Sequence, residues 1–255
     1  MEISLLQGLL ITLAVMVIAL DNELEGFFIF RPIIVCPVVG AILGDLQIGL
    51  AAGALVELAF AGISPVGGVT PPDAVITSVM TVVLSKTANV DVTTAFAMAY
   101  PFGLLKQFVG TVTCTVFAFW NKLADAYAEK ADLKAIYKIC AISLCITTCI
   151  AGLITFLSVY AAQEPLKLLI ESMPEWLTNG LGVAGGLIPA IGFAMLLRVI
   201  LKGRYVPYLL AGFLFASFVE LNNILPVAIM GLAFALADYY KNNNKQVGGS
   251  ENEGI

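Results

Sequence analysis

The 255-residue sequence contains no histidine, and only 12% of its residues are charged. Without histidine it cannot carry a phosphohistidine, and it also lacks the GxxxxGKS or GxxxxGKT loop that cradles nucleotide phosphates. Such a chain is not expected to run its own phosphoryl relay or to hydrolyse ATP, so a partner must deliver any energy that it uses. We therefore predict that the protein is not an enzyme and has no catalytic residue, no metal site and no cofactor.

Cysteine is scarce, and the net charge of -5 leaves no basic surface for nucleic acid. With no CxxC spacing and no histidine nearby, the cysteines are interpreted as small packing residues rather than metal ligands or disulfides. No Lys/Arg-rich leader precedes the first apolar run, which we expect to stay in the mature protein. The five cysteines, all within apolar runs, are Cys36, Cys114, Cys140, Cys145 and Cys149.

Apolar residues make up 60% of the chain, against about 45–50% in an ordinary soluble domain. A soluble fold cannot bury that much apolar surface, whereas a bilayer accepts apolar side chains all round a helix. We predict an all-α polytopic membrane protein with roughly eight to ten full or partial spans, since a crossing takes about 20 residues.

The two halves of the chain differ in pattern. The distal half contains conventional apolar runs at residues 92–120, 139–163, 177–197, 205–219 and 221–237. In the proximal half, the run at 3–20 is followed by apolar pieces of about 11 to 15 residues, separated by Asp45, Glu57 and Asp73 and too short to cross singly. Such pieces are typical of broken or re-entrant helices, which survive at membrane depth around a cavity.

Positive charge predicts the orientation, because cytoplasmic loops retain Lys and Arg. The loop at 121–138, the turn with Lys202 and Arg204, and the tail with Lys241 and Lys245 can all lie on the cytoplasmic side together. Residues 161–178 then fall outside, as an interfacial amphipathic helix. We predict a membrane domain over 1–240 and a disordered cytoplasmic tail over 241–255.

Two carboxylates, Glu57 and Asp73, are the candidate substrate-binding residues. A charge at membrane depth costs roughly 2.5–3.5 kcal/mol and is normally paired or faces a polar cavity. Carboxylates and amides suit the hydroxyl groups of a sugar, so Gln7, Gln107 and Asn179 complete the predicted site.

Each acid also has a purely structural interpretation. Asp73 follows Pro71-Pro72 and could be the N-cap of a helix. Glu57 could pair with Arg31 or Lys106. The glycines at 180–192 could break a helix at mid-membrane or permit close helix contact. An enzyme acting on a lipid-soluble substrate stays possible at this point, but its catalysis would rest on the two acids unaided.

The sequence resembles the IIC membrane subunit of mannose-type (mannose, fructose, sorbose) phosphotransferase systems. The matching stretches are Met1-Glu2-Ile3 with Gln7, Arg31-Pro32, Gly40-xxx-Gly44-Asp45-xxx-Gly49-xxx-Gly53-xxx-Glu57, Pro72-Asp73-Ala74, and Pro174-Glu175 through Asn179-Gly180-Leu181 to Gly185-Gly186. The run from Leu181 to Ala194 is most similar to the branch specific for N-acetylgalactosamine or galactosamine.

This resemblance implies a bacterial cytoplasmic (inner) membrane protein that takes up a hexose or amino sugar, phosphorylated by a cytoplasmic phospho-IIB protein on release. It also implies a IID membrane subunit, usually in a trimer of IIC–IID heterodimers, and places Glu57, Asp73, Gln7 and Gln107 near the sugar. Pro65 departs from the asparagine of mannose-specific members, which favours another sugar. The alternative is an ion-coupled secondary transporter of a polar solute, in which the two acids would bind cations. An elevator-like or rocking movement of the domain holding them is our hypothesis for transport.

Overall fold

The computed structural model describes residues 3–63, 71–161, 172–219 and 225–249, and within these ranges it contains helices and turns but no strand. Four of its helical stretches are long and apolar enough to cross a membrane. The prediction of an all-α, multi-pass membrane protein is confirmed. The α-helices are α1 (Leu5–Leu24), α2 (Pro32–Ile42), α3 (Leu46–Phe60), α4 (Ala74–Ala88), α5 (Val92–Glu129), α6 (Leu133–Phe156), α7 (Glu175–Ile200), α8 (Val206–Phe218) and α9 (Leu225–Gly249).

The loop between α1 and α2 is held by a buried carboxylate. The two oxygens of Asp21 accept hydrogen bonds from the amides of Phe27 at 2.6 Å and Ile29 at 2.7 Å. The loop contains two non-glycine residues with positive φ, Glu25 at 47° and Phe28 at 58°. Such backbone is costly for residues with a Cβ atom, so Asp21 stabilises the turn that brings Arg31 to the start of α2.

Helices α2 and α3 form a short hairpin whose close contact depends on glycine. A Cβ atom on Gly49 would lie 2.7 Å from the carbonyl oxygen of Cys36, and one on Gly40 would lie 2.8 Å from the Cα of Gly49. Gly44 turns the chain with a φ of +73°, a conformation that suits glycine. Gly40 and Gly49 therefore let the two helices pack closely.

Helix α4 is buried along most of its length and forms the centre of the proximal half. Its buried hydroxyl groups donate hydrogen bonds to backbone carbonyls one turn earlier. Thr77 donates to the carbonyl of Asp73, and Thr81 to that of Thr77, both at 2.7 Å. Local bonds of this kind let polar residues be buried without distant partners.

Helix α5 packs against α4 over its first part, as the buried residues Thr94, Phe96 and Gly103 indicate. It continues to Glu129, nine residues past the predicted end, because nothing in the polar stretch after Trp120 breaks a helix. Helix α6 returns beside α1, where a Cβ atom on Gly152 would lie 2.8 Å from the side chain of Met16.

Helix α7 decides between the two interpretations of the distal glycines, because it is continuous from Glu175 to Ile200. Gly185 and Gly192 are its buried residues. A Cβ atom on Gly185 would meet the backbone of Thr93, and one on Gly192 would meet that of Ala59. The glycines therefore permit close contact and do not break the helix.

The chain divides into two compact units, Met1–Leu196 and Leu197–Ile255. In the second, α8 has 13 residues, fewer than the roughly 20 of a full crossing. Helix α9 runs to Gly249 and so includes residues 241–249 of the predicted tail. Extending an existing helix costs less than nucleating one. Pro65 and most of the predicted 161–178 helix lie outside the described residues.

Candidate functional site

Glu57 lies inside α3, not between two helices as the sequence pattern suggested. One of its oxygens accepts a hydrogen bond from the guanidinium of Arg31, and the other accepts one from the Ile33 amide at 3.2 Å. The Glu57 side chain is 20% exposed and that of Arg31 is 46% exposed. The carboxylate thus joins the end of α3 to the start of α2, as the pairing interpretation predicted.

Asp73 is the N-cap of α4, as its structural interpretation predicted. Its Oδ1 accepts a hydrogen bond from the Ile76 amide at 2.8 Å. Its own amide donates to the carbonyl of Gly103 in α5 at 3.1 Å. A Cβ atom at Gly103 would lie 3.0 Å from the Asp73 carbonyl oxygen, so glycine lets α5 approach this cap closely.

The second oxygen of Asp73 points at a cation from α5. Its Oδ2 lies 3.7 Å from the Nζ of Lys106, and both side chains are about one-quarter exposed, at 24% and 21%. The pair lines a small crevice with a volume of about 30 Å³, enough for one water molecule. Further polar residues of that crevice are Asn22, Glu23, Thr147 and Thr155.

A larger cleft between α5 and α6 shares Glu23, Lys106 and Thr147 with this crevice. Its volume is about 530 Å³, within the range of small-molecule sites. The two cavities adjoin, and together they are called the Asp73 crevice, which is bounded by α1, α4, α5 and α6. It has room, donors and acceptors for a polar solute.

The structure brings three of the five predicted site residues to one end of the short helices. Glu57 and Asp73 lie at the end of α3 and the start of α4, and Gln107 follows Lys106 in α5 and is half-buried. Because Gln7 lies 15 residues before Asn22 on α1, the two are separated by about 22 Å along that helix.

Gln7 and Asn179 lie at the other end. The Gln7 amide donates to the carbonyl of Ile42 at 3.4 Å, and its oxygen accepts from the Ser4 amide at 3.1 Å. Asn179 is exposed near the start of α7, 13 residues and about 20 Å from the Gly192 contact with α3. In this structure neither amide reaches Glu57 or Asp73.

Sequence reasoning missed Lys106, Asn22 and Glu23 as lining residues of the crevice. A signal for Lys106 was present, because Lys106 and Gln107 alone interrupt the apolar run at 92–120 with strongly polar groups. Asn22 and Glu23 carried no such signal, since they stand in an acidic stretch at the end of an apolar run, where solvated residues are common.

Membrane-crossing helices around a cleft that contains charged residues are typical of a membrane transport protein. A family model described as the sorbose-specific IIC component of the phosphotransferase system matches residues 5–237. The chain belongs to this family: it is a IIC transport subunit of a phosphotransferase system, as the resemblance predicted. The phosphoryl-transferring activity is not its own, since IIC components are the permease subunits.

Curated relatives support the same assignment. The chain is 44% identical over 245 residues to the N-acetylgalactosamine permease IIC component 1 of Escherichia coli K12, covering 96% of this chain and 92% of the relative. It is 30% identical to the sorbose-specific EIIC component of Lacticaseibacillus casei, covering 98% and 92%. Identity to the mannose-specific EIIC component of Escherichia coli K12 is 28%, covering 92% and 89%.

Two solved structures share the fold, and each match covers 94% of this chain and 97% of the other. One, described only as a membrane protein, has a TM-score of 0.80 at 27% identity. The other is a cryo-electron microscopy structure of the mannose transporter ManYZ with a bound microcin, with a TM-score of 0.59 at 26% identity.

Proposed function

We propose that this IIC subunit imports N-acetylgalactosamine or a closely related amino sugar. The observation that carries this proposal is the 44% identity to an N-acetylgalactosamine permease IIC component, against 30% and 28% for sorbose- and mannose-specific relatives of similar coverage. Substrate contacts change between such branches while the fold is kept. Of these three relatives, the one with 44% identity is therefore used as the guide to the sugar.

Phosphorylation is assigned to a cytoplasmic phospho-IIB protein that acts on the sugar at its release. The absence of histidine from the whole sequence supports this division of labour. A IID membrane subunit completes the permease, as a trimer of IIC–IID heterodimers in this proposal. The lysine-rich segment around the α5–α6 turn and the C-terminal tail face the cytoplasm, in keeping with the distribution of positive charge.

The sugar site of the proposal contains Glu57, Asp73 and Gln107, which lie at the same end of the short helices. Carboxylates accept hydrogen bonds from hydroxyl groups, and charge-assisted bonds are about twice as strong as neutral ones. The two amides at the far end, Gln7 and Asn179, would join this site only through a large conformational change. They are better assigned to the opposite end of a transport path.

The ion-coupled alternative is less well supported by the geometry. Glu57 is paired with Arg31, and Asp73 faces Lys106. A carboxylate that already faces a protein cation has less to gain from binding a metal ion or a proton. The same pairs do not prevent hydrogen bonds to a neutral hydroxyl group.

Transport into cells or vesicles tests the proposed function. The IIC and IID subunits would be supplied with IIB, with phosphoenolpyruvate and with the soluble proteins that pass its phosphoryl group to IIB. Uptake of labelled N-acetylgalactosamine would be measured with galactosamine, mannose and sorbose as competitors. We expect phosphoenolpyruvate-dependent accumulation of phosphorylated N-acetylgalactosamine that mannose and sorbose inhibit weakly. Preference for mannose or sorbose would contradict the substrate assignment, and uptake driven by an ion gradient without IIB would support the alternative.

A further inference from the structure

Lys106 and Asp73 form an open ion pair. Their charged atoms are 3.7 Å apart, beyond the 2.7–3.2 Å of a normal hydrogen bond. Asp73 Oδ1 is occupied by the Ile76 amide, whereas Oδ2 has Lys106 as its facing cation. A second aspartate–lysine pair in the same unit, Asp45 and Lys86, is closed at 2.7 Å.

The open pair faces a cavity. Asp73 and Lys106 line the crevice together with Asn22 and Glu23 of the last turn of α1. Lys106 also lines the larger cleft of about 530 Å³. Neither Asp45 nor Lys86 lines the Asp73 crevice. The open pair therefore lies at this crevice, and the closed pair lies away from it.

An oxygen placed about 2.8 Å from both Lys106 Nζ and Asp73 Oδ2 would form a hydrogen bond with each of them. A hydroxyl group can do this because it accepts from an ammonium and donates to a carboxylate at once. A neutral sugar presents several such groups and adds no charge that the pair would have to compensate. An anion would be repelled by Asp73 and by Glu23, which both line the crevice.

We propose that Lys106 is a substrate-binding residue. One hydroxyl of the sugar bridges the Lys106 ammonium and Asp73 Oδ2, with Asn22 and Glu23 forming the α1 wall of the same site. This inference rests on the proposed sugar-transport function and deepens it. It adds three residues to the predicted site and identifies the ligand as a neutral, hydroxyl-rich ring.

Equilibrium binding of N-acetylgalactosamine to the purified IIC–IID complex tests this role. Lys106→Met removes the ammonium and keeps most of the apolar stem, and Lys86→Met is the matched control at the closed pair. Because Lys106→Met loses a charge-assisted hydrogen bond to the sugar, its dissociation constant should rise about tenfold or more. Lys86→Met should change the dissociation constant less than about twofold, since its pair lies away from the crevice.

Monodeoxy analogues of the sugar separate a direct contact from a structural role. In the wild type, the analogue that lacks the bridging hydroxyl should bind about tenfold more weakly than the parent sugar. In Lys106→Met the loss of affinity caused by that deoxy change should be smaller than in the wild type, because the hydroxyl then keeps only its bond to Asp73. A structural defect would instead weaken the parent and every analogue alike.

A second variant covers the case in which Lys106→Met yields no folded complex. Lys106→Gln keeps a hydrogen-bond donor without the charge, and its affinity should lie between those of the wild type and the methionine variant. Wild-type affinity in Lys106→Met or Lys106→Gln, or equal losses for all analogues, overturns the role of Lys106. A wild-type complex that binds mannose or sorbose in preference, or no sugar at all, instead overturns the proposed function on which this role rests.

Discussion

The two ends of helices α3 and α4 use the same local chemistry with different results. At one end Asp45 caps α3 and accepts a hydrogen bond from Lys86 in α4 at 2.7 Å. At the other end Asp73 caps α4, and Lys106 of α5 stays 3.7 Å away beside a polar crevice. A capping aspartate with a facing lysine is thus closed at Asp45, and open at Asp73, where a crevice adjoins the pair.

The largest effect on stability is expected at Gly49, where the α2–α3 hairpin beside the Asp45–Lys86 pair depends on glycine. Gly49→Ala would place a Cβ atom 2.7 Å from the Cys36 carbonyl and 3.0 Å from the Pro37 Cα, and backbone atoms cannot move aside easily. We expect a loss of roughly 2 kcal/mol or more in unfolding free energy, measured as a lower Tm of the detergent-solubilised protein.

The control for that change is Gly110→Ala. Nothing lies within 4 Å of a Cβ atom at Gly110, and replacing a helical glycine that has open space around it by alanine should stabilise by up to about 1 kcal/mol. Equal changes in Tm for the two variants would show that the hairpin does not depend on the close contact at Gly49.

Exchanging each capping aspartate for asparagine compares the two ends directly. Asn caps a helix about as well as Asp, so Asp73→Asn and Asp45→Asn should both remain folded while losing a charge. We expect N-acetylgalactosamine binding to the IIC–IID complex to fall at least about tenfold for Asp73→Asn. Binding by Asp45→Asn should stay within about twofold. Similar affinities for the two variants would remove Asp73 from the site.

A smaller effect is expected for Glu57→Gln, in the same binding assay. The variant keeps an oxygen that can accept a hydrogen bond from the Ile33 amide. Because the Arg31 side chain is 46% exposed, water can solvate its guanidinium. We expect sugar affinity to fall about fivefold, from the loss of one charged acceptor. Arg31→Gln, which breaks the same pair from the other side, is the control. If both variants weaken binding equally, Glu57 acts through the pair and not through the sugar.

The smallest effect is expected for the pH dependence of the stability that the Asp45–Lys86 pair contributes. The hydrogen bond from Lys86, aided by the Ile48 amide, lowers the pKa of Asp45 below its usual value of 3.8. A carboxyl whose pKa is lowered by folding adds stability above its unfolded pKa and loses it as the pH falls through the folded pKa. The Tm advantage of the wild type over Asp45→Asn should therefore be constant from about pH 7 to 5 and shrink below about pH 4. A difference that does not change with pH would contradict the role of this pair.

Much of the helical organisation was predictable from local pattern. The short apolar pieces became the 11- and 15-residue helices α2, α3 and α4, and Asp73 begins a helix as its proline-rich approach suggested. The failure at Glu57 has a physical cause: a charged residue in an apolar stretch looks like a boundary. Glu57 continues α3 because Arg31 and the Ile33 amide satisfy its carboxylate from another helix.

The site was only partly predictable. Glu57 and Asp73 stood out as charges within apolar sequence, whereas Asn22 and Glu23 reach the crevice through the α1–α6 packing. Gln7 and Asn179 are polar residues in the right kind of sequence but lie at the opposite end of their helices. Sequence spacing does not report which ends of antiparallel helices meet.

The sequence by itself determined that this protein is a helical membrane protein, because composition and apolar run length are encoded along the chain. Its local motifs determined in the same way that it belongs to the IIC family. Only the tertiary structure decided which of two similar aspartate–lysine pairs is closed and which faces a cavity. That difference depends on distances between residues far apart in sequence, 41 positions for Asp45 and Lys86, and such distances are set by how the helices pack.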